Sequence, residues 1–231
     1  MKKLFAFLVA LLFVPAISNA QLYVTAGVSA FGGDAVKRAA TDGNQQQQAQ
    51  AAAAAAEVSA GFNAGIKYKY KLPIPIIGIN AVGHFNYATG KSQLNNLRDL
   101  RGLPPGLSDL LQGVTPPETN ITALVYGIGV EVIPIGFLPI IDPYVSLDYT
   151  LNIYTEKRDA LIVNGQPIIV NGQPIFPARE VSFSGSGLGI GVGTGIKLPI
   201  IPIVFDAELK WRMLGNARNL LTVNVGAGLS F

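Results

Sequence analysis

Three observations predict an all-β fold, namely an eight-stranded antiparallel up-and-down transmembrane β-barrel with long extracellular loops. Eight long segments alternate bulky apolar residues with small or polar ones at a period of two, which is the mark of a strand with two unlike faces. The chain is 49% hydrophobic but only 13% charged, about half the charge of an ordinary soluble domain, so much of its apolar area lies where no charged cover is needed. The connections between segments alternate between long polar stretches and short Pro-Ile turns, which gathers loops at one rim of a barrel and turns at the other.

The first element precedes the barrel. Lys2 and Lys3 lead into an apolar stretch from Leu4 to Val14, followed by Pro15 and then Ser18-Asn19-Ala20. This reads as a secretory signal peptide over residues 1–20, cleaved before Gln21 and leaving 21–231 as the barrel domain. An uncleaved anchor would need about 20 apolar residues, roughly twice what is present. The chain carries 17 basic and 14 acidic residues, and two of the basic ones lie in this leader. The near balance that remains gives no electrostatic footprint for nucleic acid. With no Cys in the chain, a disulfide framework is excluded.

The strands follow in order. The first sets Leu22, Val24, Ala26, Val28 and Ala30 against Tyr23, Thr25, Gly27 and Ser29. The second sets Val58, Ala60, Phe62, Ala64, Ile66, Tyr68, Tyr70 and Leu72 against Ser59, Gly61, Asn63, Gly65, Lys67, Lys69 and Lys71. Six more lie at 79–89, 120–133, 143–155, 180–198, 203–214 and 220–231, long beside the mean strand of about 5 to 6 residues. Long connections span 32–56, 90–119 and 156–179; short ones span 71–78, 133–142 and 197–203, and the 215–219 connection falls on the loop side. The three short turns form a weak repeat around Pro and Ile, with Lys71-Leu72-Pro73-Ile74 matched by Lys197-Leu198-Pro199-Ile200. Proline ends ladder pairing and stiffens each turn, so the turns read first as stiff hairpins partly seated in the membrane interface, with a docking surface for a periplasmic partner as the rival reading.

Alternation alone does not say which face is inside, and a soluble lipocalin-type barrel would turn its apolar face inward. An eight-stranded interior is only wide enough for side chains to fill it. It could not hold the Leu, Ile, Val, Phe, Tyr and Trp of eight apolar faces, so the Gly-rich face belongs inside.

The last strand ends in the series Leu221, Val223, Val225, Ala227, Leu229, Phe231. This resembles the C-terminal signature of bacterial outer-membrane barrels, in which a terminal aromatic after alternating apolar positions is read by the barrel-assembly machinery. Together with the leader and the eight alternating segments, residues 21–231 resemble the small eight-stranded outer-membrane barrels of the OmpA-transmembrane-domain, OmpX and OmpW group. The resemblance is one of architecture and quotes no motif assigning the chain to one of them. It implies the outer membrane of a Gram-negative-type bacterium after leader cleavage. It also implies outer-membrane lipids as surroundings, the assembly machinery as a partner during biogenesis and Phe231 as the assembly signal.

Outward-facing aromatics fall at two levels. Tyr68, Tyr70, Phe205 and Phe231 lie toward the periplasmic ends of their strands, and Phe62, Phe85, Tyr87 and Trp211 toward the outer ends, as the paired girdles of membrane barrels require. The same phase turns Lys67, Lys69, Lys71, Glu131, Asp148, Lys197, Asp206, Glu208, Lys210 and Arg212 inward. Ten charges in a narrow interior have to be paired or solvated, because an isolated buried charge is very costly. A cross-lumen ion-pair network is therefore expected, with a narrow solvated pore and a small-molecule site as rival readings. Gly187, Gly189, Gly191, Gly193 and Gly195 face inward on the sixth strand and leave room for long side chains; their strict spacing of two is not that of a nucleotide-binding loop.

Enzyme chemistry finds little support. His84 is the only His, is followed by Phe85 and Asn86, and sits on the lumen face near mid-strand, away from lipid. Lipid-modifying outer-membrane barrels resemble this architecture but rely on a Ser with a His and an acidic or amide partner, and no such arrangement is seen. A single His and no Cys make a transition-metal site improbable, so no catalytic residue, metal or cofactor is expected. The loops carry Gln45 to Gln48, Ala51 to Ala56, leucines at 94, 97, 100, 107, 110 and 111, and a doubled Val-Asn-Gly-Gln-Pro-Ile at 163–168 and 170–175. The leucine spacing predicts two short amphipathic helices and the Asn-Gly pairs a protruding β ribbon; none of these names a ligand. The functional expectation is a non-enzymatic membrane-structural or surface-interaction protein with a polar, largely occluded lumen. The alternative is a narrow channel for small solutes.

Overall fold

The computed structural model describes residues 19–33, 59–74, 77–93, 118–134, 140–160, 162–163, 165–167, 169–170, 173–174, 178–198, 201–215 and 218–231. Eight long strands dominate: β1 (Ala20–Gly33), β2 (Ser59–Lys71), β3 (Gly78–Gln93), β4 (Glu118–Ile133), β5 (Ile141–Arg158), β6 (Arg179–Lys197), β7 (Ile203–Gly215) and β8 (Arg218–Ser230). Each pairs antiparallel with its neighbours in the chain, and β1 pairs with β8 to close the barrel. Closure leaves no free sheet edge. β1 begins at Ala20, one residue before the expected cleavage point. The leader through residue 18, the first-loop runs at 45–48 and 51–56 and the second-loop leucines lie outside the described residues.

The ladder fixes the size of the barrel. From Ala60 the pairing runs through Ala30, Leu221, Trp211, Ile190, Leu147, Val130 and Ala81 and returns to β2 at Tyr70. The circuit comes back ten residues further along the same strand. With a rise of about 3.3 Å per residue and strands about 4.8 Å apart, eight strands with that stagger tilt by about 40° and enclose a backbone radius of about 8 Å. Each residue then climbs about 2.5 Å along the barrel axis. The outward series of β8, from Leu221 to Phe231, covers about 25 Å, the height of the apolar band on membrane barrels.

Burial alternates accordingly. Leu22, Val24, Val28, Ile66, Ile128, Leu147, Leu151, Ile190, Val192, Leu209, Val223 and Val225 are exposed on the outer wall, whereas Lys67, Lys69, Glu131, Asp148, Asp206, Glu208, Lys210 and Arg212 are buried within.

Toward the loop-side rim the interior becomes apolar. Phe31, Ala88, Ile121, Ala123, Val125, Tyr154, Leu214 and Leu220 face inward and pack into one apolar cluster, joined by Phe183, whose ring stacks on Tyr154 with centroids 5.0 Å apart. At the same level the outer wall carries Thr89, Thr122, Thr155 and Ser182, paired in one row across β3, β4, β5 and β6. Just beneath that row the strands are apolar on both faces, because the inward positions Ala88, Ala123, Tyr154 and Phe183 pair in a row of their own.

The third loop differs from the single ribbon expected. Ile162–Val163 pairs with Gln166–Pro167, and Ile169–Val170 with Gln173–Pro174, so each copy of the repeat closes its own minimal hairpin. Gly165 holds φ 80°, a left-handed conformation that glycine adopts without steric penalty.

Candidate functional site

The sequence places basic side chains on β2 and β7 and acidic ones on β4, β5 and β7, all on the inward phase. The stagger of the ladder brings β2 opposite β7 at one height, although the two are not neighbours. Lys67 is the hub. Its Nζ donates to Asp206 Oδ2, Glu208 Oε2 and the Tyr144 hydroxyl, each at 3.0 Å, and stands 2.8 Å from Glu131 Oε1. Lys69 Nζ lies 2.6 Å from Asp206 Oδ1 and 3.0 Å from Glu131 Oε2. Higher on β7, Lys210 Nζ bridges Glu208 Oε1 at 2.8 Å and Asp148 Oδ2 at 3.1 Å, and Arg212 donates to Thr222 at 3.2 Å.

Neutral groups complete the network. The Tyr144 hydroxyl donates to Asp206 at 3.0 Å, Ser146 donates to Glu208 at 2.9 Å, and Asn80 donates to Glu131 at 3.3 Å. Lys69 lies 4.2 Å from the centre of the Tyr144 ring and 5.0 Å from that of Tyr23, a cation–π arrangement on the periplasmic side of the network. Among the described residues, the deeply buried cations are Lys67, Lys69, Lys210 and Arg212, and the buried carboxylates are Glu131, Asp148, Asp206 and Glu208. Four positive charges meet four negative ones.

The glycines of β6 make this possible. A Cβ on Gly193 would stand 2.5 Å from the Tyr144 ring, one on Gly191 would meet Ser146 Oγ at 2.7 Å and Lys210 Cε at 3.0 Å, and one on Gly189 would run into Asp148. The inner face of β6 is thus the floor on which the β5 and β7 side chains lie.

Two of the ten expected lumen charges stand elsewhere. Lys71 is exposed at the last residue of β2, where the ladder ends and the side chain turns to the rim. Lys197 closes β6 at the same rim and pairs with Asp142, apart from the interior network. His84 is in the lumen, buried, with Nε2 3.4 Å from Asp148 Oδ2. No serine or cysteine makes a bond to it among the described residues, and no group of three or more His, Cys, Asp and Glu there could hold a metal ion. Sequence reasoning missed Tyr23, Tyr144, Asn80, Ser146 and Asp142. The tyrosines were open to recognition, since both fall on the inward phase of otherwise small or polar positions.

The outer aromatics occupy the levels given by the ladder. Tyr68, Tyr70, Phe205 and Phe231 stand low. Phe62, Tyr87 and Trp211 stand high, and Phe85 sits nearer mid-height because it pairs with Ile66. Tyr126 and Tyr149, both exposed, join the upper group, with Phe85 and Tyr126 rings 5.2 Å apart and Phe62 and Tyr87 rings 6.3 Å apart.

A closed wall of eight antiparallel strands, apolar outside and charged within, defines an eight-stranded transmembrane β-barrel. Solved structures similar to the chain include Ail, the attachment invasion locus protein of Yersinia pestis. It is 15% identical, with 92% of this chain and 97% of that one covered, at a TM-score of 0.45. Neisserial surface protein A is 11% identical over 93% and 98%, at 0.49. The N-terminal β-barrel domain of Pseudomonas aeruginosa OprF is 10% identical over 93% and 98%, at 0.36. No protein-family model and no curated protein sequence matches the chain.

Proposed function

We propose that the protein is a non-enzymatic outer-membrane barrel with an occluded lumen, serving a membrane-structural or surface-interaction role. The observation that carries this reading is the filling of the interior along its height. The charge-balanced network occupies the lower and middle lumen, and the apolar cluster around Phe31, Ile121, Tyr154 and Leu220 occupies the loop-side end. A backbone radius of about 8 Å leaves little width beyond these side chains. Buried ion pairs of this kind are costly to break singly, which favours a stiff strut over a gate. Membrane lipids are then the surroundings of the mature chain. A leader cleaved near residue 20 and an assembly machinery that reads Phe231 would bring it there.

Planar-bilayer recording tests the reading. The purified barrel is expected to give no steady ion steps. Steps that change with charge reversal at Lys69 or Glu208 would establish the narrow channel instead. Unchanged lipid profiles with His84→Ala are expected as well, whereas an altered profile would reopen lipid chemistry.

A further inference from the structure

The start of β1 carries chemistry that the barrel reading does not use. Gln21 and Tyr23 are two residues apart and so share one face of the strand. The Tyr23 hydroxyl donates to Gln21 Oε1 at 2.7 Å. Tyr23 is itself buried, with the Lys69 ammonium 5.0 Å from its ring centre, so the donor is held in place. A hydrogen bond of this kind polarises the side-chain amide and stabilises negative charge that develops on its oxygen under nucleophilic attack.

On the reading that a leader is cleaved before Gln21, the backbone nitrogen of that residue becomes a free α-amine, held on the same residue as the polarised carbonyl. As a cation the amine is badly placed. Gln21 pairs with Lys69, and the bond from Lys71 N to Asn19 O puts the backbone groups of odd-numbered β1 residues on the β2 side of the ladder. The new ammonium would therefore face β2 beside Lys69 and Lys71. Glu131 and Asp206 are already engaged by Lys69, and among the described residues four buried cations already meet four buried carboxylates. A fifth positive charge would upset that balance, and like charges across a strand pair repel.

We propose that the mature N-terminus is a pyroglutamate, formed on Gln21 with Tyr23 as the electrophilic catalyst. The unprotonated α-nitrogen attacks Cδ and bonds to it. The Cδ–Nε2 bond breaks, and Nε2 leaves as ammonia with the proton that the α-nitrogen gives up; no oxidant or reductant takes part. The lactam keeps one N–H to face β2, carries no charge and closes the chain end to aminopeptidases. The inference rests on cleavage before Gln21.

The full precursor is expressed and the mature barrel is isolated from membranes directly after a pulse of synthesis. Its N-terminus is then followed by intact mass, one part kept folded in detergent and another unfolded in guanidinium. The folded chain should start at residue 21 and lose one ammonia about tenfold faster than the unfolded one, the effect of one hydrogen bond to developing charge. Tyr23→Phe should bring the folded rate down to the unfolded rate, with heat-modifiable mobility checking that the variant is folded. Release of the blocked residue by pyroglutamate aminopeptidase would establish the lactam. A Gln21 amine that persists in the folded wild type, or folded and unfolded wild-type chains that react equally fast, would overturn the inference, even where Tyr23→Phe fails to fold. A chain starting at another residue would overturn the cleavage reading and the inference with it.

Discussion

Replacing Lys67 by Met tests how the barrel interior is held. Lys67 stands within 3.0 Å of Glu131, Asp206 and Glu208 at once, so the change leaves three carboxylates without their shared cation and turns a balanced interior into one with a net charge of −1. Removing one partner from a buried ion pair costs about 3 to 5 kcal/mol. With a urea dependence of about 2 kcal/mol per molar, within the range of small proteins, the unfolding midpoint should fall by about 2 M. Trp211 is the only tryptophan and faces outward near the upper girdle, so its emission reports loss of the lipid-facing wall. Adding Glu131→Gln to Lys67→Met restores charge balance, with three groups of each sign. The double variant should recover about 1 to 3 kcal/mol relative to additive behaviour, as for residues sharing a network. A Lys67→Met midpoint unchanged from the wild type, or two changes that add without coupling, would refute the view that the interior is organised around this hub.

Glycine substitutions give a matched pair. Gly193→Ala should destabilise by about 1 to 3 kcal/mol by pressing on the Tyr144 ring, whereas Gly83→Ala, with nothing within 4 Å of the added carbon, should change stability by less than about 0.5 kcal/mol; denaturant melts of both compare them. Truncating the apolar cluster with Phe31→Ala and Leu220→Ala should produce no conductance, because the ion-pair network lies beneath it, and single-channel recording would expose a pathway if one opened. Brominated acyl chains should quench Trp211 fluorescence strongly, and soluble iodide only weakly.

Much of the barrel was legible because strand periodicity is a local property. Each alternating run carries its own phase, and β6 could be placed from Leu188, Ile190 and Val192 set against glycines without reference to any other strand. The pairing of Lys67 with Glu208 is different in kind. It depends on the ten-residue stagger accumulated around the whole barrel, which no single segment encodes. Lys71 and Lys197 share the phase of the lumen residues but lie at strand ends, where phase no longer dictates direction. The apolar cluster escaped notice for a related reason. Ile121, Tyr154 and Phe183 prolong their strands without breaking alternation, so the inward row of Ala88, Ala123, Tyr154 and Phe183 shows only once neighbouring strands are aligned.

The seam between β1 and β8 sets a condition on how the molecule can form. Gln21 pairs with Ser230 and Gly33 with Arg218, joining the two most distant strands of the chain, while every other ladder links strands adjacent in sequence. Loop-closure entropy makes such a long-range contact slow and late to form. Until β8 has emerged and met β1, both strands keep an unpaired edge and the lipid-facing side has no lipid to meet, a state prone to aggregation in water. Closure of this barrel is thus tied to β8 having been made, and the interval before it has to be bridged by something that shelters an open sheet.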